Sequence, residues 1–149
     1  MKKYLLLLLA LFAFCMTEII AQSNDSWSIS LNKQVLLRSP VESAEPTIFI
    51  SKSALQKGKS MLTIQYSTAN GEKDWNRTFT FNYQSEQTAK QATLKKQSGT
   101  ISFAAKDLLK AAQGNKTLFV YTTSLPNDPE VAALVRVRRI FLCKIQWKK

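Results

Sequence analysis

The seventeen residues from Val131 to Trp147, Val-Ala-Ala-Leu-Val-Arg-Val-Arg-Arg-Ile-Phe-Leu-Cys-Lys-Ile-Gln-Trp, constrain the fold more than any other stretch. Their odd positions, Ala133, Val135, Val137, Phe141, Cys143, Ile145 and Trp147, form an apolar row broken only by Arg139, the period-2 pattern of a strand with one buried face. This predicts one long strand, or two joined by a bulge, with the rest of the chain packed against the odd row. The even positions set Arg136, Arg138, Lys144 and Gln146 among Leu134, Ile140 and Leu142, so the other face is mixed and partly wet.

The opposite end has the organisation of a cleavable secretory signal. Met1-Lys2-Lys3 is followed by an apolar run from Tyr4 to Met16, and Ile19-Ile20-Ala21 ends in a small residue before Gln22. The run is shorter than the ~20 residues of a bilayer span. Cys15 follows Phe14, which is too large for a lipoprotein signal. Residues 1–21 therefore read as the leader and 22–149 as one exported domain, large enough for a core of its own. Export leaves Cys143 without a disulfide partner, and its place in the apolar row makes it a small core hydrophobe.

Between these ends, Trp27–Asn32 alternates as a first strand, and Lys33–Leu37 continues it or starts the next, with Val35 in phase and Leu36 out of it. Pro40 and Pro46 bracket a loop. Thr47–Ser51 is a strand, Ser53-Ala-Leu-Gln56 a capped helical turn, and Met61–Tyr66 a third strand. Asn70-Gly71 is the strongest hairpin signal, leading into Trp75–Tyr83, whose apolar side Arg77 interrupts. Gln91–Lys95 is an edge strand or a loop. Thr100–Phe103 is a strand, Ala104–Gln113 a helix stopped by Gly114, Thr117–Thr123 a strand, and Ser124–Glu130 the turn into the last one.

Two stretches repeat. Thr47–Leu55 leads through Gly58 to Ile64-Gln-Tyr-Ser-Thr, and Thr100–Leu108 leads through Gly114 to Phe119-Val-Tyr-Thr-Thr, with Tyr66 and Tyr121 separated by 55 residues. Each copy is followed by a strand carrying an arginine in its apolar row, Arg77 or Arg139. This is an internal duplication, or two hairpins alike as hairpins are. The two arginines are expected in related places, each meeting a carboxylate or backbone carbonyls if its head is buried. Seven or eight short strands with polar turns and one or two helical turns predict a mainly β, antiparallel β-sandwich. Its general look resembles immunoglobulin-like and fibronectin-like sandwiches, although the Cys-Trp-Cys pattern of true immunoglobulin domains is absent.

The chain contains no histidine. Ser-His and Cys-His nucleophiles, the commonest general base and the commonest zinc ligand are thereby excluded. A paired-carboxylate hydrolase drawing on Asp25, Glu42, Glu45, Glu72, Asp74, Glu86, Asp107, Asp128 and Glu130 is the weakest functional alternative, because nearly all of these fall in loops. The glycines stand singly, so no phosphate-cradling loop is present, and Asn127-Asp128-Pro129-Glu130 reads as a turn rather than a calcium loop. No cofactor or metal is expected.

Losing Lys2, Lys3 and Glu18 with the leader takes the formal charge from +11 to about +10. The densest basic feature comprises Arg136, Arg138 and Arg139 with Lys144, Lys148 and Lys149. On one strand, Arg136 and Arg138 would project about 7 Å apart. Arg136, Arg138 and Lys144 are the candidate contacts to an anionic partner: an acidic polysaccharide, a lipid surface or an acidic envelope protein. Export argues against nucleic acid, and nothing predicts a membrane span. The expected function is a non-catalytic exported binding module, with a structural domain of a larger envelope assembly as the alternative.

Overall fold

The computed structural model describes residues 25–39, 45–56, 59–69 and 71–148. Residues 1–24, on which the expected leader with Cys15 and Ala21 falls, and Pro40, Glu42, Gly58, Asn70 and Lys149 lie outside them. The described residues are mainly β. Nine strands run in chain order: β1 (Ser26–Leu31), β2 (Gln34–Arg38), β3 (Thr47–Ser51), β4 (Met61–Ser67), β5 (Trp75–Asn82), β6 (Thr88–Leu94), β7 (Gly99–Ala104), β8 (Thr117–Pro126) and β9 (Ile140–Lys148). Three short helices, α1 (Lys52–Gln56), α2 (Ala105–Ala111) and α3 (Pro129–Leu134), connect them. One sheet has the order β2-β1-β4-β7 and the other β3-β9-β8-β5-β6. Among the described residues no helix is long and apolar enough to cross a membrane, a statement that does not extend to strands.

Alternation turns one face of each sheet inward. Ile29, Leu62, Ile64, Tyr66 and Phe103 from the first sheet meet Phe79, Phe81, Leu118, Val120 and Ile145 from the second in one buried core. Ring contacts join the two, Tyr66 to Phe79 at 6.4 Å and Phe81 to Phe103 at 4.7 Å, both edge-on. Cys143 lies in this core, and burial pushes its thiol up to about 12, so it is an inert hydrophobe as expected.

Several elements follow their local chemistry closely. Asn32 and Lys33 both have positive φ, 51° and 71°, in the two-residue turn that joins β1 to β2. The Asn32 side chain accepts from the Met61 amide at 3.0 Å and donates to Ser60 at 3.1 Å, tying that turn to the start of β4. The phase break at Leu36 is a bulge, because the register steps from Ile29 opposite Leu37 to Ser30 opposite Val35. The lysine-bearing stretch around Gln91 is an edge strand, β6, paired with β5 alone.

Four expectations are corrected. First, β4 and β5 lie in different sheets, so the chain around Gly71 crosses between layers instead of closing a hairpin. Second, β3 pairs with β9 in parallel, Ile48 opposite Ile145, so the arrangement is not wholly antiparallel. Third, β8 extends to Pro126, beyond the expected turn at Ser124. Fourth, Val131–Trp147 is not a strand throughout. Residues 131–134 belong to α3, residues 135–139 are irregular, and Leu134 and Val137 are exposed.

Asp128 explains the last correction. Its carboxylate accepts from the Glu130 amide at 2.8 Å and the Val131 amide at 3.4 Å, and Pro129 sits in the first turn, so a helix starts where alternation alone would continue a strand. A bulge then resets β9: Val120 is opposite Cys143 and Tyr121 opposite Phe141, so Leu142 joins the core and Phe141 turns to the outer face. Asp128→Ala is expected to cost α3 about 1 kcal/mol. Amide hydrogen exchange of residues 130–134 is the measurement, and unchanged protection would mean that packing on β8, not the cap, holds the helix.

Candidate anion-binding site

At the end of the molecule where β1, β5, β7 and β9 begin and β4 and β8 finish, the strand ends border a half-open cavity of about 240 Å³. Arg77, on the inner face of β5, is 3% exposed and forms part of its wall. Arg136 and Arg138, on the irregular segment before β9, face the same space from the rim. The bulge and the end of α3 bring them there; on a continuous strand they would lie along an open sheet face. Asp25, just before β1, supplies a carboxylate, and Trp75 and Ile140 supply apolar surface.

Arg77 is the unusual member. Its guanidinium lies 3.7 Å above the Tyr66 ring, Nε donates to the Gln97 carbonyl at 2.6 Å, and Nη1 donates to the Thr122 hydroxyl at 3.4 Å. An arginine has five N–H donors, and among the described residues those of Arg77 meet the Gln97 carbonyl, the Thr122 hydroxyl and the Tyr66 side chain, while no carboxylate stands at ion-pair distance. Burial pulls its pKa below the ordinary value, and Tyr66 and Asp25 oppose that pull. Beneath it, Tyr66 donates its hydroxyl to Asp25 at 2.8 Å. Burial, then the bond to Asp25, pushes the Tyr66 phenol well above its ordinary range, with Arg77 and Arg138 pulling the other way. The result is a buried cation held on a ring, with hydrogen-bonding capacity left beside an open cavity.

The remaining sequence candidates lie elsewhere. Lys144 is on the outer face of the second sheet, paired with Glu45 and 5.4 Å from the Phe119 ring. Arg139 stands before β9 on the same outer face, over the Tyr121 ring at 3.6 Å and 3.5 Å from Glu86. Arg136 and Arg138 are thus brought together with Arg77, whereas Lys144 is separated from both. Arg77 and Arg139 differ in sheet position and burial, yet each lies over the tyrosine that the 55-residue offset relates, Tyr66 or Tyr121. Arg139 is exposed, so the compensation expected of a buried head does not apply to it; Arg77, which is buried, has one backbone carbonyl, a hydroxyl and a ring in place of a carboxylate or several carbonyls.

From the sequence Arg77 reads as structural and Asp25 only as a possible catalytic carboxylate, and nothing there singles out Tyr66, Trp75 or Gln97 as parts of a site. The available signal was the charge itself, since an arginine inside a row of Trp75, Phe79 and Phe81 requires compensation at a buried position. Among the described residues no group of three or more His, Cys, Asp or Glu side chains is placed to hold a metal ion. No known protein family matches the chain, and no curated protein matches it in sequence.

Proposed function

We propose that this chain is an exported, non-catalytic binding module that recognises an anionic group on its partner through the cavity at Arg77, Arg136 and Arg138. One observation carries the reading: Arg77 is a nearly fully buried guanidinium with unused donors and no ion-paired carboxylate among the described residues, and two further arginines face the same cavity. Keeping a charge in such a place costs several kcal/mol, partly offset by about 2 kcal/mol from the ring beneath it. Sites that break a local rule in this way are where function is expected. The partner classes are an acidic polysaccharide, an anionic lipid surface or an acidic envelope protein.

The scaffold is read as an immunoglobulin-like sandwich. Supporting this, β4-β7 corresponds to strands B and E, and β9-β8-β5-β6 to G, F, C and C′. The paired Arg-on-Tyr stacks are the observation that favours a duplication; against it, the two copies are distributed differently, β4 and β5 lying in different sheets while β8 and β9 pair in one. The alternative function, a structural domain of a larger assembly, draws on the apolar side chains around α3, where Leu134 is 86% exposed.

The binding reading is tested with acidic polysaccharide and anionic vesicles at low and physiological salt, between which the Debye length falls from about 30 Å to about 8 Å. The doubly substituted Arg136→Gln/Arg138→Gln protein is expected to lose at least tenfold in affinity at low salt. Lys144→Gln, on the other face, is expected to bind like the parent. Equal binding by all three proteins would reduce the arginines to a solubilising surface and leave the structural alternative.

A further inference from the structure

We infer that the group this cavity takes is a phosphomonoester dianion, an inference that rests on the anion-binding reading above. Charge makes the first argument. Among the described residues three guanidinium groups line the cavity against one carboxylate, Asp25, which is already engaged by the Tyr66 hydroxyl. A single carboxylate ligand would leave one of these positive charges uncompensated, whereas a phosphomonoester carries about −1.5 to −2 at pH 7.

Shape makes the second. Guanidinium groups are planar forks, and here they come from separate elements, Arg77 from β5 and Arg136 and Arg138 from the segment before β9. A planar carboxylate accepts such forks in one plane, but the three terminal oxygens of a phosphate accept them from several directions. Size makes the third. At about 240 Å³ the space is below the ~300–1,000 Å³ usual for a drug-sized ligand, so it admits a head group, with Trp75 and Ile140 as an apolar wall for the ester carbon.

The chemistry also supplies a clean reporter. Among the described residues the charged and titratable groups facing the cavity are Asp25, Arg77, Arg136 and Arg138, with Tyr66 behind Arg77, and with Lys73, Asp74 and Glu72, whose amide is bonded to Gln97, beyond Trp75. The chain has no histidine, the side chain that ordinarily changes charge near neutral pH, whereas a phosphomonoester changes its own charge in that window.

The test measures binding of glycerol 3-phosphate, sulfate and acetate to the purified chain and to Arg136→Gln/Arg138→Gln, whose substituted side chains are exposed and leave the core intact. With a second pKa of about 6, the phosphomonoester is expected to bind about tenfold more weakly at about pH 5 than at about pH 7.5. Sulfate, doubly charged throughout, should bind equally at both, acetate at least tenfold more weakly than the phosphomonoester at the higher pH, and the variant should lose all three. Acetate binding as tightly as glycerol 3-phosphate, with no dependence on pH, overturns the dianion and leaves the anion site standing. Absence of binding by every anion overturns both. Vesicles of phosphatidylcholine with and without phosphatidic acid separate the sources: preference for the phosphatidic acid, relieved by glycerol 3-phosphate, assigns a lipid headgroup, and equal behaviour on both vesicles assigns a soluble phosphate ester.

Discussion

Arg77→Met is expected to weaken anion capture at least tenfold while leaving the fold at least as stable as the parent. The two effects separate because the guanidinium is unfavourably placed for stability and favourably placed for a ligand. Burial disfavours its charge, and among the described residues no carboxylate lies at ion-pair distance to compensate. A methionine fills the space of the arginine stem with an apolar, adaptable chain, although it ends short of the guanidinium that lies on the Tyr66 ring. Thr122 still donates to the Thr78 carbonyl at 2.9 Å, and the Gln97 carbonyl, on a half-buried residue, exchanges its arginine donor for water. Replacing buried ionic groups with apolar ones of similar volume is commonly neutral or stabilising, so a gain of about 1 kcal/mol and a few degrees in Tm is expected. Anion affinity should fall at least tenfold, the about 1.4 kcal/mol of one charge-assisted hydrogen bond. Thermal unfolding and anion titration on the same sample test both halves. A large loss of stability with binding intact would make Arg77 a structural residue.

Phe81→Ala should have the largest effect on stability. The ring is fully buried and meets Phe103 edge-on at 4.7 Å, which joins the second sheet to the first. Truncating such a ring costs about 3–5 kcal/mol, a large share of the ~5–15 kcal/mol that holds a typical domain. Phe49, also on the second sheet, is the matched control: it is 51% exposed on the outer face with Lys148 over its ring at 4.0 Å, so its replacement by alanine should stay within about 0.5 kcal/mol. Urea unfolding of the two variants should differ in free energy by most of that margin, read as the midpoint difference multiplied by the slope, and equal midpoints would mean that the contact between sheets contributes little.

The strands that alternate cleanly were legible in the sequence because burial on one face is a local signal: β1, β4, β5 and β8 all lie close to where Trp27, Ile64, Phe79 and Val120 put them. Partners were not legible, because pairing is decided by which apolar faces meet across the core. Asn70-Gly71 has the residues of a hairpin turn, yet Leu62, Ile64 and Tyr66 on β4 and Phe79 and Phe81 on β5 pack against one another from opposite layers. At Val131–Trp147 two signals competed. Alternation suggested a strand, but the Asp128 cap with Pro129 started a helix, and a bulge at Leu142 changed the phase of what remained. That competition decided the site too, because only the broken strand brings Arg136 and Arg138 to Arg77. The basic residues were recognisable as a group from sequence; their division between the cavity and the outer face depended on this backbone irregularity.

The parallel pairing of β3 with β9 bears on how the chain acquires its fold. Every strand of the first sheet has been made by Ala104, and its neighbours β1, β2, β4 and β7 can associate as soon as those residues are available. The second sheet has no such order, since Thr47 finds its partner in Lys144 and β9 lies between β3 and β8 rather than at an edge. β3 must therefore wait, with Ile48 and Ile50 uncovered, until nearly one hundred further residues have arrived to close the longest loop in the sheet. Non-local closure of this kind slows folding and prolongs the exposure of apolar strands to other chains. Assembly of the second layer is thus timed by its last-made strand.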